Sequence, residues 1–250
     1  ALIEAAITPR TSAILATHVY GIPCAVEEIE ALAKVHGLKV VYDAAHTFGV
    51  TYQGQALAAY GDIATLSFHA TKLFHTVEGG ALVTSDDALA HRLAYLRNFG
   101  HKGQEAYWGL GINGKNSELH AAMGLCVLPH VPEIIAARRQ VSSWYDALLR
   151  GCGLIRPALP AGTQYNFAYY PVIFPSEDQL LQARDALNAA GITPRRYFYP
   201  SLTGLPYVRR ASLRVSEATA AAVLCLPLYA ELQREQVEQV TQVLRQSLGR

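Results

Sequence analysis

The sequence is short of several things, and each shortage removes a class of protein. Charged residues make up 16% of it and divide into 21 Lys plus Arg against 20 Asp plus Glu, a formal net charge of +1. So even a balance leaves no basic stripe for nucleic acid and no field for an anionic membrane surface, and neither partner is expected. No uninterrupted apolar run reaches the roughly 18 residues that a membrane-spanning helix needs. The longest candidate, 218–230, is broken by Pro227. The four cysteines, Cys24, Cys126, Cys152 and Cys225, form no C-x-x-C pair. That spacing suggests neither a zinc site nor a disulfide framework, so no metal is expected and a reducing cytoplasm fits best. The first residues lack a basic region followed by an apolar one, so no signal peptide is expected. No internal repeat and no low-complexity segment appears.

What is present is a large apolar fraction, 51% of 250 residues, enough for one large domain or two small ones. Strand-like and helix-like stretches alternate in the first half. Short apolar runs at 12–19 (SAILATHV), 38–42 (LKVVY), 63–68 (IATLSF) and 80–84 (GALVT) read as strands. Helical spacing marks 26–36, stopped by Gly37, and 86–97. This rhythm predicts an α/β fold, a mostly parallel sheet flanked by helices. Residues 117–128 and 133–150 are helical in pattern around Pro129 and Pro132, a kinked connecting helix. Gly151, Gly153, Pro157, Pro160 and Gly162 then read as a linker. A smaller α+β unit follows. It has a strand at 169–174, a helix from a Ser176–Gln179 capping box to about 190, and a last helix at 232–248. The domains expected are 1–115, a connecting helix 116–150, and 151–250.

Ligands in open α/β sheets sit beyond the carboxyl ends of the strands. Asp43 follows LKVVY, and Ser67, His69 and Lys72 follow IATLSF; His18 ends the first run. Each alone has an ordinary structural explanation as a cap, a turn or a solvated side chain. Together they bring a carboxylate, a hydroxyl and an amine to one rim. Pyridoxal phosphate needs that set: an amine for its aldehyde, a carboxylate for its ring nitrogen and a hydroxyl for its phosphate. Lys72, Asp43 and Ser67 would supply those roles.

The runs ITPRTSAILATHVYGIP, GLKVVYDAAHTFGVTYQG, YGDIATLSFHATKLFHTVEGGALVT, LGINGKNSELHAAMGL and LCLPLY carry more than composition. With them the chain resembles the DegT/DnrJ/EryC1/StrS family, the pyridoxal-phosphate-dependent sugar aminotransferases of fold type I. The resemblance implies that Lys72 is the Schiff-base lysine and Asp43 the partner of the pyridinium nitrogen. His46 would sit on the side of the ring hydroxyl, and Ser67 would bind the phosphate. Asn113, or else Asn116 or Lys115, would reach a neighbour's cofactor across a homodimer interface, and 195–200 would form a substrate-side loop. It also implies a nucleotide-linked keto sugar as substrate and glutamate as donor. S-F-H-A-T-K followed by E-G-G is similar to members that aminate C4 of a dTDP-4-keto-6-deoxy sugar. Lys72 in place of His argues against the relatives that dehydrate. The match begins late: family members carry on the order of a hundred further residues, one small domain's worth, before the segment matching Ala1. The chain is therefore expected to be an N-terminally truncated member, and the second expectation is a non-catalytic, possibly dimeric protein.

Overall fold

The computed structural model describes residues 2–209 and 211–249. They form two compact units, Ala1–Pro132 with Leu159–Asn166, and Glu133–Ala158 with Phe167–Arg250. In the first unit a short helix α1 (Leu2–Ala5) precedes β1 (Ala13–Thr17), α2 (Val26–His36), β2 (Lys39–Asp43), β3 (Thr51–Tyr52), β4 (Gln55–Ala56), β5 (Ile63–Ser67), β6 (Gly80–Val83), α3 (Asp87–Leu96) and α4 (Glu118–Val127). Its main sheet runs β1-β2-β5-β6, with β1, β2 and β5 parallel and β6 antiparallel to β5.

Strand alternation assigns the two faces of this sheet. Ile14, Val40, Tyr42 and Ala64 point to one side and bury with Val26, Ile29 and Ala33 of α2. A face of α2 at helical spacing makes that burial possible. Gly37, at φ 63°, ends α2 in the left-handed conformation, where its N–H reaches the carbonyls of Ala33 and Lys34. Asp86 caps α3 by accepting the Leu89 N–H at 3.0 Å.

Two sequence expectations change here. Residues 80–83 form a strand as expected, but one that returns antiparallel beside β5. The stretch expected to be a linker ends in a strand, β7 (Thr163–Gln164), which pairs with β3. The β3–β4 turn is a two-residue loop with Gln53 at φ 49° and Gly54 at φ 80°, the positive pair that tight hairpins require. Gln53 N–H also bonds the Gly162 carbonyl at 3.1 Å. Glycine and proline density marked a loop, but it carries no information on where the loop's far end pairs. Hence the compact units divide at 132/133 and the segment 159–166 rejoins the first, whereas the sequence suggested edges at 115 and 151.

The helical stretch Glu118–Leu148 agrees with the helical pattern read around Pro129 and Pro132. It holds 31 residues and an 18-residue window of mean hydropathy 1.4, long and apolar enough by length and composition to cross a membrane. It contains no unbroken apolar run of that length, because Pro129, Pro132 and Glu133 interrupt it. Pro129 cannot donate a backbone hydrogen bond, and a 3₁₀ turn over Leu128–His130 accommodates it.

The second unit contains α5 (Val131–Leu148, its first two residues counted with the first unit), β8 (Tyr170–Ile173), α6 (Glu177–Ala189), α7 (Arg214–Ala222), β9 (Val223–Leu226) and α8 (Arg234–Ser247). β8 and β9 pair antiparallel. Tyr145, Tyr170, Leu180, Leu187, Leu224, Val237 and Leu244 fill its core. The Ser176 cap forms, its hydroxyl accepting the Gln179 N–H at 3.3 Å. At α8, Gln236 reaches back to the Gln233 N–H at 2.9 Å.

Candidate active site

The parallel register sets the site. Thr17 lies beside Asp43, and Asp43 beside Thr65. By alternation, Thr17, Asp43, Thr65 and Ser67 share the face opposite Tyr42. Asp43 ends β2, and its Oδ1 accepts the Ala45 N–H at 3.1 Å. Ser67 ends β5 two residues beyond Thr65, and among the described residues its hydroxyl makes a 3.5 Å contact from the His69 N–H.

Past Ser67 the chain turns back on itself. Phe68 N–H bonds the Gly79 carbonyl, Lys72 N–H the His69 carbonyl, and Thr76 N–H the Phe68 carbonyl, all at 2.8–2.9 Å. This turn needs both glycines of E-G-G. A β-carbon on Gly79, at φ 155°, would strike the Thr76 hydroxyl, and one on Gly80 would lie 2.6 Å from the Leu66 carbonyl. Aromatic packing ties the turn to the loop after β2. Phe48 stacks on Phe74 at 4.2 Å between centroids, and Phe68 meets Phe74 edge-on at 4.9 Å.

The result is one electrostatic cluster. Burial pushes the Lys72 amine below its ordinary pKa, and the nearby Asp43 charge opposes the shift. Burial, helped by the charge of Lys72, also lowers His46 to about 4. Three of the residues singled out in the sequence are thus linked in series, Asp43 to Lys72 and Lys72 to His46, and Ser67 shares the Asp43 face. His18 does not join them on that side. It is fully buried and stacks on Tyr42 at 4.4 Å, with Nδ1 accepting the Cys24 N–H at 3.0 Å. Burial lowers its pKa to about 4, against the pull of Asp43.

Asn113 also lies outside the cluster. Its carbonyl oxygen accepts the Lys115 ammonium at 2.6 Å, and its backbone bridges Asn98. Asn116 instead packs against the Gly79 turn, its amide 3.1 Å from where a β-carbon on Gly79 would stand. In the second unit the Arg195–Pro200 loop is built on aromatic contacts. Arg196 lies 3.6 Å over the Tyr199 ring and pairs with Glu177 at 2.6 Å. A cavity of about 380 Å³ beside it is lined by Glu177, Tyr199, Ser201, Thr203 and Glu217 among others.

An amine and a carboxylate within electrostatic reach, beside a neutral imidazole and a strand-end hydroxyl, fit the donor set that pyridoxal phosphate requires. The profile of the DegT/DnrJ/EryC1/StrS aminotransferases matches residues 1–245.

The chain belongs to that family.

A dTDP-4-amino-4,6-dideoxy-D-glucose transaminase of Shigella dysenteriae is 37% identical over 98% of the chain and 68% of its own length. A UDP-N-acetyl-3-dehydro-α-D-glucosamine 3-aminotransferase of Acidithiobacillus ferrooxidans is 35% identical over 98% of the chain and 67% of its length. DesI, solved in the presence of its TDP-sugar product, superposes with a TM-score of 0.91 at 34% identity, over 99% of the chain and 65% of DesI. The chain therefore spans about two thirds of the length of these relatives. It has the fold of the fold type I pyridoxal phosphate aminotransferases, and the family's members are enzymes that use that cofactor on nucleotide sugars.

Sequence reasoning missed the residues that hold the family's D-A-A-H loop in place. Tyr20, at φ 58°, gives its N–H to His46 Nδ1 at 2.9 Å. Asn166 Nδ2 donates to the carbonyls of His46 and Phe48, each at 2.9 Å. The Tyr20–Gly21 pair was the one local signal, because Gly21 sits where a β-carbon would be 2.7 Å from the His46 carbonyl. Asn166 gave none, being 120 residues away.

Proposed function

We propose that the chain transfers an amino group from glutamate to C4 of a dTDP-4-keto-6-deoxy-hexose, with pyridoxal phosphate held by Lys72, Asp43, His46 and Ser67. The observation that supports this reading is the strand register that puts Asp43 and Ser67 on one face of the sheet, with Lys72 within electrostatic reach of Asp43 and of His46. When bound, pyridoxal phosphate supplies an aldehyde that can join an amine and a ring that draws electrons from the bond being broken.

The protein's own part follows from its side chains. Desolvation makes the neutral Lys72 amine more accessible near neutral pH than it is in water. A neutral amine is both a nucleophile toward an aldehyde and, once released, a base that moves a proton at the donor's α-carbon. The Asp43 carboxylate would accept a hydrogen bond from the protonated ring nitrogen and so keep the positive charge there, an electrostatic contribution on the order of 3 kcal/mol for one preorganised partner. Ser67 offers a hydroxyl donor at the end of β5. His46, neutral, offers a donor and adds no charge beside Lys72.

Two features favour C4 over C3. The S-F-H-A-T-K…E-G-G pattern is of the C4 kind, and the 37% relative carries its amine at position 4. The 3-aminotransferase at 35% lies close behind, so the pattern carries more weight than the identity. Dimerisation, with Asn113 serving a neighbouring subunit, belongs to the same proposal.

Mixing the protein with pyridoxal phosphate tests the core of the proposal. A band at the edge of the visible is expected in the wild type and lost in Lys72→Ala. Product analysis with glutamate and the dTDP-4-keto sugar then reads the position of the new amine. A wild type that shows no band would support the non-catalytic alternative.

A further inference from the structure

The segment 159–166 leaves the first unit's neighbourhood in sequence and rejoins it in space, and its last two residues end on the site loop. Tyr165 donates its hydroxyl to the Tyr20 carbonyl at 2.7 Å. Asn166, 1% exposed, clamps the His46 and Phe48 carbonyls with one amide nitrogen. β7 anchors the segment against β3, and Thr163 Oγ1 closes it locally on the Pro160 carbonyl at 2.7 Å.

The two contacts converge on one ring. Tyr20 N–H points at His46 Nδ1 at 2.9 Å in a buried setting. An imidazolium would carry a proton on Nδ1 and face that N–H donor to donor, so the bond holds only if Nδ1 is unprotonated. The ring is then neutral, and its single proton is on Nε2. Tyr165 holds the carbonyl of Tyr20, the residue whose own N–H makes this bond, and Asn166 holds the backbone that carries the ring.

We propose that Asn166 and Tyr165 are positioning residues for His46: the 159–166 strap holds the imidazole as a neutral Nε2–H donor toward an oxygen of the bound cofactor. Neither residue is assigned contact with cofactor or substrate. Lys72 is the charged group that acts on the ring, and Tyr20, stacked at 6.5 Å, is the titratable ring beside it. A cation at Lys72 disfavours an imidazolium further, so the strap and Lys72 push the same way. The use of His46 toward the cofactor rests on the function proposed above, whereas its tautomer does not.

Long-range proton–nitrogen spectra of histidine-labelled protein without cofactor read the tautomer directly. In the wild type, His46 is expected as one Nε2–H form across the range where a free histidine titrates. In Asn166→Ala, both forms should appear and the ring should titrate closer to an ordinary histidine. Tyr165→Phe removes one hydroxyl and should shift the signals in the same direction by less; it decides the matter if the alanine variant does not fold. Titration with pyridoxal phosphate should then show about tenfold weaker binding in Asn166→Ala, the size of one hydrogen bond. If His46 keeps the wild-type signature in the folded variants, the strap proposal is overturned, even where pyridoxal phosphate binds normally. If the signature moves but the wild type takes up no pyridoxal phosphate, the strap stands and the proposed function fails.

Discussion

On one face of the four-stranded sheet Ile14, Val40, Tyr42 and Ala64 are buried against α2. On the other face Leu15 is 72% exposed, Leu82 is 50% exposed, and Asp43 and Ser67 remain half-buried. The same strands build both faces, and strict alternation sends neighbouring residues to opposite duties. Tyr42 goes to the core and Asp43 to the site. On the packed face His18 Nδ1 accepts the Cys24 N–H, while its Nε2 is buried without a hydrogen-bond partner among the described residues. The open face gathers charges that act on one another across loops, and a fold does not need that for stability.

Substitutions can break this contrast, beginning with the largest effect. Lys72→Ala should abolish the pyridoxal phosphate band while the thermal midpoint holds or rises, because it removes a desolvated amine. Absorbance and calorimetry on one sample read both. Tyr42→Ala, on the packed face at 1% exposure, should cost about 3–5 kcal/mol by leaving a cavity. Urea denaturation checks this.

The two buried histidines sharpen the contrast through pH. Both have folded-state pKa values near 4, against 6.5 for the free side chain. Below 6.5 the unfolded chain takes up protons that the folded chain refuses, so stability falls as pH drops from about 6.5 toward 4. The size is on the order of 3 kcal/mol for each histidine. Urea midpoints across that range should flatten in His18→Gln and in His46→Gln. Of the two, His46→Gln should show the larger loss of pyridoxal phosphate affinity. Equal losses would mean that the two faces are not functionally distinct. The smallest effect is expected at Leu15→Ala, where so exposed a side chain should cost under about 0.5 kcal/mol.

The elements that were legible beforehand are those with strong local patterns. β2 and β5 appear within a residue of their expected ends because short apolar runs bounded by turn residues have few alternatives. Asp43, Ser67 and Lys72 could be picked out because a carboxylate, a hydroxyl and an amine at strand ends make an unusual set. The helical stretch 118–148 was legible too, because its apolar spacing continues on both sides of Pro129 and Pro132. The direction of β6 was not legible at all: GALVT reads the same running up or down a sheet.

Local chemistry in the chain thus determined which segments become strands and helices, where the turns fall, and which reactive groups arrive at strand ends. Each of those depends on residues a few positions apart. Folding in three dimensions decided the pairing of 163–164 with 51–52, the approach of Asn166 to His46, and the burial that depresses Lys72 and His46. Those depend on the dielectric and the hydrogen-bond partners that only distant segments supply. An imidazole's protonation is set by what surrounds it, and around His46 stand Tyr20, Lys72 and Asn166, between 26 and 120 residues away in the chain.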